Sequence, residues 1–158
     1  MRSGGGFPEV KAKDYWLEQV RLGRAFAAQD SVAGGVGTNG HLQLWNPPGS
    51  AVRVLVRMVS LGISVAGAAY LSLYNTAISI PDAQGVNLLS GGAAGVALLR
   101  EEAVAGPLGT LLWAHQVPAV TPVWVQEPWI CELAAGQGFM AVGDANVSLS
   151  ASFWWLEV

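Results

Sequence analysis

The sequence predicts an all-β protein, a β-sandwich preceded by an N-terminal arm with a short helix. Three observations carry this. From residue 41 onward, apolar and polar residues alternate in short runs, the period-2 pattern of strands buried on one face. Gly, Pro and Asn clusters separate these runs and read as turns. Helical periodicity is confined to "KDYWLEQVRLGRAFAA", residues 13–28. Many short strands joined by such turns build a sandwich or a barrel.

The 158 residues make one domain plus an arm: 1–40 as arm and Gly-rich linker, 41–158 as the β-sandwich. In the arm, Trp16, Leu17, Val20 and Phe26 fall near one side of the helix. Asp14 is placed to cap its start, and Gly23 weakens it. "SVAGGVGTNG", 31–40, reads as a flexible joint.

The first strand, His41 to Trp45, sets His41, Gln43 and Trp45 on one face and Leu42 and Leu44 on the other. Pro47-Pro48-Gly49 then makes a tight turn. The prolines fix φ, and Gly49 admits backbone angles that other residues resist. In the next strand Val52, Val54, Val56 and Met58 point inward, while Arg53, Leu55 and Arg57 point outward. Further strands are expected at 62–66, 69–74, 77–80, 95–99, 109–116, 121–125, 128–134, 138–142 and 146–157. The stretch 82–98 is Gly/Ala-rich and reads as a long loop. In the last strand Val147, Leu149, Ala151, Phe153 and Trp155 alternate with Ser148, Ser150, Ser152 and Trp154.

The chain is 52% hydrophobic and 12% charged, where about a quarter is usual. Part of the surface is therefore expected to be covered by protein; a Ser/Thr/Asn/Gly surface is the plainer alternative. Net charge is −3, without the basic stripe that marks nucleic-acid binding. Residues 1–24 carry a balance of +2 and the rest −5, so a basic arm could dock on an acidic body. "SGGGFPEVKAKD" has no apolar core of a signal peptide. Met58 to Pro81 is uncharged and long enough to span a bilayer, but its serines, glycines and alternation favour strands over a membrane helix.

Signs of catalysis are few. His41 and His115 are 74 positions apart, and no His/Cys/Asp cluster has metal-ligand spacing. There is no G-x-S-x-G elbow. "GGVGTNG" lacks the Lys-Ser/Thr of a phosphate loop. Glu101 and Glu102 read as a solvated loop. Cys131, the single cysteine, reads as a buried thiol and permits no intrachain disulfide. Asn146-Val147-Ser148 matches the glycosylation triplet, which carries weight only on a secretory route. No cofactor or metal is expected. Seven tryptophans suggest a subunit interface, a plain core or a sugar platform. Trp154 and Trp155 are neighbours, so one points in and the other out.

"LQLWNPPGSAVRVLVR" resembles a strand–turn–strand segment of small structural proteins of tailed bacteriophages. The ending, "PWICELAAGQGFMAVGDANVSLSASFWWLEV", is similar to theirs as well, although Ala-Ala-Gly-Gln-Gly stands where a Pro-Gly turn is more usual. The resemblance covers roughly 41–80 and 122–158 and rests on turn chemistry and alternation. It implies a jelly-roll-like sandwich in a non-enzymatic virion protein, assembled in the bacterial cytoplasm. A capsid decoration protein is the first expectation, in contact with copies of itself, as a homotrimer, and with the major capsid protein or another virion protein. A tail or fibre adhesin that binds a host-surface glycan through exposed Trp residues is the second. A cell-wall hydrolase using His41 or His115 and a membrane protein around 58–80 come after; neither nucleic acid nor membrane is expected as a partner. The candidate partner-interface residues are Phe7, Trp16, Leu17, Phe26, Arg53, Arg57 and Trp154.

Overall fold

The computed structural model describes residues 8–79 and 81–158. Among these residues one helix, α1 (Pro8–Arg21), precedes eleven strands. These are β1 (Ala25–Ala33), β2 (Asn39–Asn46), β3 (Val54–Ile63), β4 (Gly67–Leu73), β5 (Pro81–Gln84), β6 (Val86–Asn87), β7 (Leu98–Val104), β8 (Thr110–Val117), β9 (Val123–Leu133), β10 (Gln137–Ala145) and β11 (Ser148–Glu157). They form two antiparallel sheets, β6-β1-β11-β3-β9 and β5-β7-β2-β10-β4-β8.

Without β5, β6 and β7 the topology is an eight-stranded jelly roll. First pairs with last (β1 with β11), then β2 with β10, β3 with β9 and β4 with β8. The rolled pairing alternates strands between the sheets and leaves the apolar inner faces against each other. The core holds Leu42, Leu44, Val56, Leu61, Phe139 and Phe153, with Phe139 and Phe153 edge to face at 6.2 Å. β11 keeps the expected parity: Leu149, Ala151, Phe153 and Trp155 are buried.

The insertion between β4 and β8 is not the long loop expected at 82–98. Its strands extend both sheets, β6 beside β1 and β5–β7 beside β2. It closes the side of the sandwich formed by β1 and β2 and packs against the last residues of β11. A Cβ on Gly85 would lie 2.2 Å from the Trp155 ring, so only glycine lets the backbone pass there. The buried Glu157 carboxylate accepts hydrogen bonds from the backbone N–H of Val96 and Ala97, each at 2.9 Å, and from the Trp155 indole at 3.2 Å. Glu101 and Glu102 lie in β7, half-buried, and not in a loop.

Three further expectations are corrected. The helix starts at Pro8, a residue suited to a first turn, so Asp14 is interior rather than a cap. It ends before Gly23 (φ 68), where Arg24 N–H donates to the Gln19 carbonyl. Residues 25–33, expected in the arm and joint, are strand β1, flanked by β11 and β6, so the sandwich begins at Ala25 and not at 41. Finally, the turn after β2 does not join paired strands. It carries the chain from one sheet to the other. Ser50 N–H donates to the Pro47 carbonyl and Gly49 has φ 79, the geometry of a type II turn with Pro48 and Gly49 at its centre.

No helix among the described residues is long and apolar enough to cross a membrane. Residues 58–73, at the heart of the uncharged run, lie in β3, β4 and their connection.

Candidate ligand-binding groove

The outer face of the five-stranded sheet carries a groove of about 620 Å³. That volume is in the range of small-molecule sites. The floor follows from strand parity. On β11, Ser148, Ser150 and Ser152 point away from the core while their neighbours are buried. Antiparallel pairing then aligns them with outward residues of β1, β3 and β9. Gln29, Ser152, Ser60 and Trp124 form one continuous rung across four strands. Ser31, Ser150 and Gly62 form the next. Residues this small on consecutive rungs sink the surface below the side chains at the groove's margins.

One margin is aromatic. Trp124 is 55% exposed, and its ring lies 5.5 Å from that of half-buried Trp154 at an angle of 35°. Such a pair contributes about 1 kcal/mol beyond its burial. The other margin is the loop before β9, with Val120 and Pro122. Val120 has φ 50, an outlier for a β-branched residue, and is 84% exposed. Its N–H donates to the Ile63 carbonyl at 2.9 Å, which holds the loop against the end of β3.

No lining residue carries a charge. The groove offers hydroxyls, one amide and indole faces: groups for hydrogen bonding and stacking, with none for acid–base or nucleophilic work at neutral pH.

The two histidines lie elsewhere. His41 is fully buried on the outer face of the other sheet. Its Nε2 accepts from Leu108 N–H at 3.3 Å, so Nδ1 carries the proton and donates to the Asn39 carbonyl at 2.9 Å. Burial holds its pKa below the ordinary histidine value. His115 is exposed on β8, with its ring 5.5 Å from that of Trp113. Among the described residues no three His, Cys, Asp or Glu side chains gather as metal ligands. Burial pushes the Cys131 thiol up to about 12, so the sulfur stays protonated and unreactive.

The residues expected to form an interface are dispersed. Phe7 lies outside the described residues. Trp16 and Arg57 do meet: the guanidinium sits 4.6 Å from the centre of the Trp16 ring. Arg57 is the extra residue of a bulge in β3, where Trp155 pairs with Val56 and Trp154 with Met58. The bulge resets the parity, so Met58, expected inward, shares the outer face with Trp154, and Val59, Leu61 and Ile63 turn inward instead. Leu17 is 48% exposed on α1. Arg53 makes an exposed ion pair with Glu132 at 2.9 Å, worth under about 1 kcal/mol. Phe26 belongs to the core, stacked on Trp155 at 6.0 Å, because β1 presents it inward beside Ala28. It is no surface contact. Trp154 borders the groove. Sequence reasoning missed Gln29, Ser31, Ser60 and Trp124 as parts of one site. The alternating serines of β11 were the one visible signal.

Compared with known protein families, with curated proteins and with solved structures, the chain finds no match in any of the three. The class that fold and site define is a jelly-roll β-sandwich with an uncharged aromatic groove on one outer face.

Proposed function

We propose that this chain is a non-enzymatic virion protein of a tailed bacteriophage, a capsid decoration protein that stabilises the head by contact with copies of itself and with the major capsid protein. The observation that supports contact as its mode of action is the edge at β8, unpaired among the described residues. This is the last strand of its sheet, and Leu111 and Leu112 on it are 54% and 48% exposed. From Ala103 to Gln126 the sequence has no Asp, Glu, Lys or Arg. Lone proteins protect such edges with charge, proline or a covering segment. An edge left neutral suits a trimer that covers it. Immunogold electron microscopy with antibody against this chain tests the reading. Even label over heads is expected; no label on intact particles sinks the virion assignment.

A second reading, a tail or fibre adhesin, is favoured by the groove with its Trp124–Trp154 margin. Label confined to tails would move it to first place.

A further inference from the structure

We propose that the groove on the five-stranded sheet binds a neutral oligosaccharide built of equatorially substituted pyranose rings. The inference deepens the adhesin reading and rests on it for its biological setting; the chemistry rests on the groove alone. Trp124 presents an exposed indole, with the Trp154 ring 5.5 Å away beside it. A pyranose ring whose hydroxyls are all equatorial has two flat C–H faces, and one of these stacks on an indole with little polar surface lost. From Trp124 the rung Ser60–Ser152–Gln29 runs away across the sheet. Three interstrand spacings make it about 14 Å long. That length fits a short oligosaccharide better than a single sugar. The ring stacks at one end and the hydroxyls of the following rings meet serine hydroxyls and the Gln29 amide, each of which can donate and accept.

Exclusion of other ligands is equally specific. Without a lysine, an arginine or a helix N-terminus in the lining, a phosphate or carboxylate would lose its water for no counter-charge. A cationic ligand would find two indole faces but no carboxylate. An apolar peptide would leave the serine floor without partners.

The test uses the full chain with cellohexaose and chitohexaose as neutral probes and hexagalacturonate as an acidic one, followed by tryptophan fluorescence and by line broadening of the sugar's proton resonances. Saturable binding of at least one neutral hexasaccharide is expected, with hexagalacturonate inert. Trp124→Ala should weaken binding by at least about tenfold and Trp124→Phe should restore part of it. Ser152→Val, which fills the floor and removes a hydroxyl, should weaken it as well. Thermal melting of each variant establishes that it is folded. Failure of both neutral probes to bind at millimolar concentration overturns the proposal. So does equal binding of the acidic probe, or binding that Trp124→Ala leaves unchanged. These outcomes are separable from the particle's anatomy. Sugar binding by a head-labelled protein would retain the groove and remove the tail placement. Tail label without sugar binding would do the reverse.

Discussion

The two outer faces of the sandwich use polar side chains in opposite ways. On the six-stranded sheet, Gln43 points outward from β2 yet is fully buried, because the chain's own loops cover it. Its amide Nε2 donates to the Tyr74 and Thr76 carbonyls at 3.1 and 2.9 Å, and its Oε1 accepts from Ile78 N–H at 3.0 Å. His41 fastens Leu108 in the same manner, and Arg100 donates to the Ile78 and Ser79 carbonyls. Ile78, Met140 and Val142 form a small second core under these loops. On the five-stranded sheet the groove floor is made mainly of outward serines with Gln29, and among the described residues no loop closes over it. The difference teaches that an outward polar residue in a strand is a bracket when a segment of the chain comes to meet it, and a contact surface when none does.

The sharpest way to break the comparison is a pair of truncations. Gln43→Ala strands two carbonyls and one N–H in a covered site, at about 1–3 kcal/mol for each group that water cannot reach, so a loss of about 3 kcal/mol is expected. Ser152→Ala, on the open face, should stay within about 0.5 kcal/mol. Urea denaturation of the two variants decides it; equal losses would mean that the faces do not differ in kind.

A pH series probes the covered face next. Desolvation lowers the native His41 pKa more than the Asn39 carbonyl and the charge of Glu102 raise it. The unfolded chain takes up this proton near its ordinary value of about 6.5. Stability from His41 is therefore complete above that pH and is lost as pH falls through it towards the native pKa. One proton gives a slope of at most about 1.4 kcal/mol per pH unit. Denaturation midpoints of wild type and His41→Gln between about pH 7.5 and about pH 5 should converge as the pH drops. A constant difference between them would assign the slope to other groups.

How much of this was legible in the sequence depends on the range of the interaction. The alternation of β11 and β2 gave their faces directly, since side-chain parity is a local property. The Gly49 conformation was legible too, because Pro-Pro-Gly constrains its own backbone. β1 was not. Phe26 falls within the run read as helical, and the glycines that follow suggest a joint, whereas pairing with β11 decides the outcome. The role of the turn was hidden for the same reason, since no local feature tells a hairpin from a crossing between sheets. The groove is the extreme case: its rung joins residues 29, 60, 124 and 152, related only through register. Gly49→Ala tests the local end of this range. A Cβ there meets nothing within 4 Å, so the cost is the left-handed backbone alone, about 1 kcal/mol, and strand register should be untouched. A larger loss in thermal melting would give the turn a tertiary role.

The smallest expected effect separates the faces once more, at Val120. Its backbone is left-handed, where a β-branched side chain is strained, and its side chain is almost wholly exposed. Asparagine accepts this conformation more readily. Val120→Asn should therefore raise stability by about 0.5 kcal/mol, seen as a melting increase of about 1–2 °C in a domain of this size. The loop should keep its place, because its hydrogen bond to the Ile63 carbonyl belongs to the backbone. No such gain is open on the covered face, where every polar group named is already engaged by a segment that must stay. A lower melting temperature for Val120→Asn would show that the valine side chain itself has a partner, and the groove's outer margin would then be part of the packed structure rather than a free rim.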